Sequence, residues 1–301
     1  MHDFEPHHLT SMPVCLSVSS MDSTGGAMAQ ADLKTFTALG TYGAAVVTGL
    51  VARSFTATYD EISINESFVH EQLMAVDESL DIAAVKIGHC PSAGIIRTVG
   101  RWLRQHKGKA VVVDPVIVDR AGIPLQQPEV ISALQQELLP LATVITPNRF
   151  EAAQLIGSDE VLTRDDMEDA ARRLFATYGC PTVVSGGGLG DQNIDVFCGL
   201  DGVGDFSAPR VGRQDRRRSF GIGDTYSASI CALLARGNDL RESIMAAKSY
   251  VRALLAESPL VAKEEQGSNP ISHCIVVDSL AQADGMGVTA TGLHRALDRG
   301  V

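Results

Sequence analysis

Several things are scarce in this 301-residue chain, and each scarcity removes a class of protein. Basic residues are outnumbered: 25 Lys and Arg stand against 36 Asp and Glu, for a net charge of -11. A surface that tracks a nucleic-acid backbone carries a basic face, so no nucleic-acid partner is expected and any phosphate must be held locally. The six cysteines (Cys15, Cys90, Cys180, Cys198, Cys231 and Cys274) show no Cys-x-x-Cys spacing and lie in apolar runs. Buried free thiols in a reducing compartment are expected, not disulfides or zinc. The segment Met1 to Glu5 lacks a basic region followed by an apolar one, and no apolar run approaches membrane-spanning length. The expectation is a cytoplasmic protein with no membrane partner. His2, His7 and His8 have no Cys, Asp or His at ligand spacing and read as a surface tail. Internal repeats, low-complexity sequence and a Gly-x-x-x-x-Gly-Lys-[Ser/Thr] P-loop are all missing.

What is present is a regular alternation. Hydrophobic residues at 45% and charged residues at 20% are ordinary globular values, and the length suits one large α/β domain or two small ones. Short apolar runs at Pro13–Ser20, Ala44–Thr48, Ala83–Ile87, Ala110–Val113, Thr143–Ile145 and Pro181–Ser185 lack the alternation of a half-exposed strand, as when both faces are buried. Helical spacing at Gln30–Leu39, Glu66–Glu78, Ala93–Gln105, Met167–Tyr178, Thr225–Arg236 and Leu240–Ala256 separates them. Asn193–Cys198 and Gly204–Ala208 read as a short antiparallel pair. This order predicts an α/β fold with a mostly parallel central sheet and helices on both faces, its ligands lying beyond the strand carboxyl ends. Residues 1–262 form this domain, and 263–301 are a tail with no strong period except around Leu293–Leu297.

The chemistry gathers at Ser219-Phe220-Gly221-Ile222-Gly223-Asp224-Thr225, a glycine turn opening a helix. Two glycines let N–H groups converge on one point, and the helix start adds its positive dipole end, so the loop can hold an anion. Asp224 beside such a hole is either an ordinary N-capping residue or a base taking a proton from an attacking hydroxyl, as phosphoryl transfer to an alcohol requires. At other strand ends stand Asp114, then Asn148 with Glu151 one turn on. Hard oxygens of this kind hold Mg²⁺ beside a nucleotide, and the same Asn and Glu spacing is also that of a capping box. Gly186 to Gly190 reads equally well as a flexible turn. Arg213, Arg216, Arg217 and Arg218 read as a solvated surface excursion.

Taken with Asp22-Ser23-Thr24-Gly25-Gly26-Ala27, Gln30-Ala31-Asp32-Leu33-Lys34-Thr35-Phe36, Lys86-Ile87-Gly88, Asp114-Pro115-Val116 and Thr146-Pro147-Asn148, the loop Gly221-Ile222-Gly223-Asp224 resembles the ribokinase-like superfamily. Within it the chain is similar to hydroxymethylpyrimidine and phosphomethylpyrimidine kinases and to pyridoxal kinases, from about Val14 to Leu255. The resemblance implies an ATP- and Mg²⁺-dependent kinase acting on the hydroxymethyl group of a small heteroaromatic alcohol. It implies Asp224 as base, the N–H groups of Gly221, Ile222 and Gly223 on the migrating phosphoryl group, and Asp22, Gly25, Asp32, Arg53 and His89 around the acceptor. It further implies Asn148, Ser185 and Gly187 at the nucleotide, Asp114 and Glu151 at the metal, and a possible homodimer. Arg53 stands where the pyrimidine kinases have Glu or Gln, and His89 where they have Met. Asp224 in place of their Cys resembles the pyridoxal kinases instead. Arg, being donor-only, favours an acceptor-rich or anionic substrate. Pyridoxal or pyridoxine kinase is thus the second reading, and a non-catalytic heterocycle-binding protein the third.

Overall fold

The computed structural model describes residues 11–119, 122–158, 160–186, 192–209, 211, 220–257, 261–263 and 269–273. Gly187, the arginines of 213–218, the N-terminal histidines, Cys274 and the Leu293–Leu297 stretch lie outside them.

Nine strands form one sheet in the order β3-β2-β1-β4-β5-β6-β7-β8-β9. They are β1 (Val14–Asp22), β2 (Tyr42–Arg53), β3 (Thr58–Ser63), β4 (Ile82–Ile87), β5 (Ala110–Val113), β6 (Val144–Ile145), β7 (Thr182–Ser185), β8 (Gln192–Gly199) and β9 (Gly202–Pro209). The run from β2 through β7 is parallel, while β3 at one edge and β8 and β9 at the other are antiparallel. The helices are α1 (Met28–Ala38), α2 (Glu66–Ser79), α3 (Ala93–Gln105), α4 (Pro128–Glu137), α5 (Arg149–Ile156), α6 (Arg164–Tyr178), α7 (Ile222–Ala235) and α8 (Leu240–Glu257).

The uninterrupted apolar strands are explained by two cores, one on each face. Leu16, Val85, Val111, Val113, Ile145 and Val184 pack against Val69, Ile95, Trp102, Leu134, Ala152 and Leu174 of α2 to α6. Cys15, Ala84, Val112, Val144 and Val183 pack against Phe36 of α1, Tyr226 and Ile230 of α7 and Tyr250 of α8. Neighbouring residues of one strand thus feed opposite layers, as the two-residue side-chain period demands. The five cysteines among the described residues are buried free thiols. No described helix is long and apolar enough to cross a membrane.

Two elements go beyond the sequence reading. Strand β3 is exposed along its whole length, so it carries no burial pattern; its pairing with β2 creates it. Helix α4 begins with Pro128 in its first turn and buries Val130, Ala133 and Leu134. In addition, Asn269, Ile271 and His273, expected within the tail, are buried, and Pro270 bridges to Phe220.

Strand β1 connects to β2 on one side, and the chain returns to β4 on its other side. The crevice over the carboxyl ends of β1 and β4 is therefore a topological switch point, where doubly wound sheets bind ligands.

Candidate active site

Residues from both helical layers and four strand ends meet at this switch point. Gly221 caps α7 with φ +80°, a left-handed conformation that suits glycine. Thr225 N donates to Gly221 O at 3.0 Å and closes the first turn, so the N–H groups of 222–224 precede the intrahelical ladder. Gly223 is exposed, and a Cβ there would meet only Asp114 Oδ2, at 3.9 Å. The mouth of the loop is thus open at Gly223.

Asp224 stands in the first turn of α7 with 14% of its side chain exposed. Its Oδ1 lies 3.0 Å from Lys86 Nζ. Burial alone would raise its pKa, but Lys86, the Met28 backbone N–H and Arg53 together hold the carboxyl below its ordinary value. It is ionised at neutral pH. Met28 has φ +56°, the one non-glycine residue with positive φ among the described residues, and its strained N–H is what α1 presents to Asp224.

Lys86, which sequence reasoning noted only within a motif, is the centre of the cluster. Fully buried on β4, it lies 2.8 Å from Asp32 Oδ1 and 4.0 Å from Asp114 Oδ2 as well. Burial works to lower its pKa, and the three carboxylates override that and raise it. A lone charge inside the apolar run Ala83–Ile87 was the available signal, because a buried lysine must be paired. Met28 and Ser227 carried no such signal.

Several of the expected site residues are engaged with partners inside the protein. Asp32, expected around the acceptor, is fully buried, taking the Ser17 hydroxyl at 2.6 Å on Oδ2 and Lys86 on Oδ1. Burial pushes its carboxyl up to about 7 against the pull of Lys86. Asp22 is 1% exposed and spends both oxygens on its own loop, accepting from Thr24 N, Thr24 Oγ1 and Ala27 N. It shapes the turn in which Gly25 adopts φ +70°. Asn148 and Glu151 form the capping box of α5: Asn148 Oδ1 accepts from Phe150 N and Glu151 N, and Glu151 Oε2 accepts from Asn148 N at 2.8 Å. Asn148 bridges to Ser185, so two of the residues expected at the nucleotide do share a strand-end corner.

Arg53 and His89, expected around the acceptor, lie at the end of β2 and just after β4. The Arg53 guanidinium lies 4.6 Å from the ring centroid of Phe220, which Phe55 meets edge-on at 5.3 Å. Its Nε is buried without a hydrogen-bond partner. His89 Nδ1 lies 2.9 Å from Ser20 Oγ and 3.3 Å from Glu61 Oε1. Burial lowers the imidazole to about 4, with Arg53 adding to the effect over the opposing pull of Asp224. The ring is neutral at pH 7, and its approach to Glu61 is a polar contact and not an ion pair. A cleft of about 350 Å³ opens nearby between Met21, Gln30, Leu50 and Ile62. Asp224 does not line it.

The donor set fits a cation that arrives with phosphates. Asp114 Oδ2 accepts from Ser227 Oγ at 2.8 Å, and burial raises this carboxyl to about 6 despite Lys86. Burial, then the charge of Asp114, hold Glu151 well above its ordinary range. Two buried carboxyls, one of them 4.0 Å from Lys86, suit Mg²⁺, which is held through one or two carboxylates, water and substrate phosphates. No three His, Cys, Asp or Glu side chains among the described residues form a closed metal site.

Comparison with known proteins agrees. The family model described as phosphomethylpyrimidine kinase matches residues 22–271. The hydroxymethylpyrimidine/phosphomethylpyrimidine kinase of Rhizobium meliloti is 39% identical, covering 86% of this chain and 96% of its own. A pyridoxine kinase of Bacillus subtilis is 35% identical, over 82% and 92%. The crystal structure of an ADP complex of Bacillus subtilis pyridoxal kinase superposes with TM-score 0.80 at 35% identity, covering 87% and 98%. All the site residues described above, from Asp22 to Asp224, fall within the matched span, and the chain belongs to the phosphomethylpyrimidine kinase family.

Proposed function

We propose that this kinase transfers the γ-phosphoryl group of ATP to the hydroxymethyl group of a hydroxymethylpyrimidine, or to the phosphate of its monophosphate, the two acceptors in the name of its Rhizobium meliloti relative. The observation that carries the reading is the place of Asp224: an ionised, partly exposed carboxylate at the mouth of the Gly221–Gly223 anion hole. The alcohol oxygen forms a bond to the γ-phosphorus while the bond to the β,γ-bridging oxygen breaks and ADP leaves. The hydroxyl proton passes to Asp224. The N–H groups of Gly221, Ile222 and Gly223 receive the charge of the migrating group, where one preorganised donor is worth about 2.7–4 kcal/mol. Asp114, with Glu151 behind it, would hold Mg²⁺, which neutralises phosphate charge when bound. Asn148 and Ser185 would line the nucleotide side and Arg53 and His89 the acceptor side. Five buried thiols suit a reducing cytoplasm, and the exposed edge strand β3 is where a homodimer would pair.

Pyridoxal or pyridoxine is the second acceptor class, favoured by one observation: the Arg53 guanidinium, with its orphaned Nε, can donate to a phenolate or carbonyl but cannot accept from a ring amine. The test is Mg²⁺-ATP consumption with hydroxymethylpyrimidine, its monophosphate, pyridoxal and pyridoxine, with products identified by mass. A phosphorylated pyrimidine supports the first reading. Pyridoxal phosphate alone transfers the protein to the second, and no product from any of the four overturns both.

A further inference from the structure

Lys86 makes more contacts than its burial requires. One carboxylate would satisfy its charge, and Asp32 supplies that at 2.8 Å, itself fixed by Ser17. The third partner, Asp224, is the most exposed member of the group and belongs to helix α7, which the glycine loop opens. An ammonium has three donors on one nitrogen, so a fixed partner on α1 constrains where the remaining protons point. The surrounding packing leaves Nζ little freedom: a Cβ at Gly88 would stand 2.9 Å from Nζ and 2.7 Å from Ser19 Oγ. This explains the Lys-Ile-Gly sequence at the end of β4, where the glycine leaves room for the charged end of the lysine two residues before it.

We propose that Lys86 is a positioning residue for the transfer: anchored by Asp32, its ammonium holds the Asp224 carboxylate in place to meet the acceptor hydroxyl. The role rests on Asp224 being the base. The groups facing the pair from the surrounding elements are Asp32 on α1, Asp114 behind β5, Glu151 on α5, Arg53 at the end of β2 and His89 behind β4. The Cys90 and Cys231 thiols complete the shell, both kept neutral by burial. Of these, Arg53 alone adds positive charge at neutral pH, so without Lys86 the Asp224 carboxylate faces mostly acidic neighbours.

The experiment measures kcat and KM against pH for wild type, Lys86→Met, the double variant Lys86→Met with Asp32→Asn, and Asp224→Asn, using whichever acceptor the wild type phosphorylates. The double variant removes both halves of the buried pair, leaves no lone carboxylate at Asp32, and is checked by thermal melting. Both Lys86 variants are expected to lose between about 10-fold and 10²-fold in kcat, the scale of a reacting group displaced by up to an ångström. KM for Mg²⁺-ATP stays near wild type, and the acid limb of the kcat profile moves to higher pH. A folded double variant with wild-type kcat and an unmoved acid limb would make Lys86 a counter-ion of Asp32 and nothing more, overturning the proposal. An inactive Asp224→Asn protein beside that result leaves the base intact and removes Lys86 alone. An active Asp224→Asn protein removes the base, and the role of Lys86 with it.

Discussion

Gly221 lies against Gly26 so closely that a Cβ on Gly221 would stand 1.9 Å from the Gly26 carbonyl oxygen. Gly26 in turn faces Phe220 and Pro270, where its own Cβ would meet Pro270 Cβ at 2.8 Å. The loop after β1 and the loop before α7, almost 200 residues apart in sequence, are thus fitted to each other through missing side chains.

Gly221→Ala is therefore expected to do two kinds of damage. It places a side chain at φ +80° and drives it into backbone that cannot step aside, at a cost on the order of 1–3 kcal/mol. A lowered melting temperature together with loss of turnover is the expected result. Wild-type kinetics would mean that the two loops are not held together as described.

Asp224→Asn keeps the shape of the side chain and removes the proton acceptor. Turnover should fall by at least about 10²-fold, the usual worth of a positioned base, while nucleotide binding measured by calorimetry stays close to wild type.

Glu151 carries a capping role and a proposed role toward Mg²⁺, and two substitutions separate them. Glu151→Gln retains the capping box, so stability is expected to change little while the Mg²⁺ concentration for half-maximal activity rises. Glu151→Ala breaks the box as well and should cost about 1 kcal/mol in chemical denaturation. Equal Mg²⁺ dependence in all three proteins would leave Glu151 with its cap alone.

Arg53→Gln replaces a donor-only group by one that both donates and accepts. Acceptor preference is expected to shift by about tenfold or more in kcat/KM toward rings bearing an amine, with KM for Mg²⁺-ATP unchanged. The stacking on Phe220 is lost too, at about 0.5–1 kcal/mol.

His273 gives stability a pH dependence of definite sign. Thr225 Oγ1 donates to Gly221 O at 2.8 Å, so at 3.1 Å it accepts from His273 Nε2–H, and the imidazole is neutral with Nδ1 unprotonated. Burial, with Lys34 adding to it, lowers the group to about 4 from an ordinary 6.5. Between those values the unfolded chain binds a proton that the folded chain refuses, so this contribution is present above pH 6.5 and lost as pH falls toward 4. Melting temperatures across pH 4–7 should fall less steeply toward acid in His273→Gln than in wild type.

By itself the sequence determined the alternation of strand and helix, the parallel core of the sheet, the glycine loop and the carboxylate that follows it. These are local facts: apolar runs without alternation, helical spacing and a turn of two glycines declare themselves within ten residues, so helix α3 and strand β5 fall where the spacing puts them. What the tertiary structure alone decided is how each carboxylate is spent. Asp22, Asp32 and Glu151 look as available in the sequence as Asp224, yet the fold commits the first to its own turn, the second to Lys86 and the third to a helix cap. The reason is physical: a carboxylate's role is set by which donors reach it and how much water remains. For Asp22 and Glu151 the donors are sequence neighbours that only the folded turn and cap aim at them, whereas for Asp32 and Asp224 the donor is Lys86, 54 and 138 residues away. The burial of 269–273 against Phe220 and Thr225 was likewise invisible, because five residues packed in a groove carry no period.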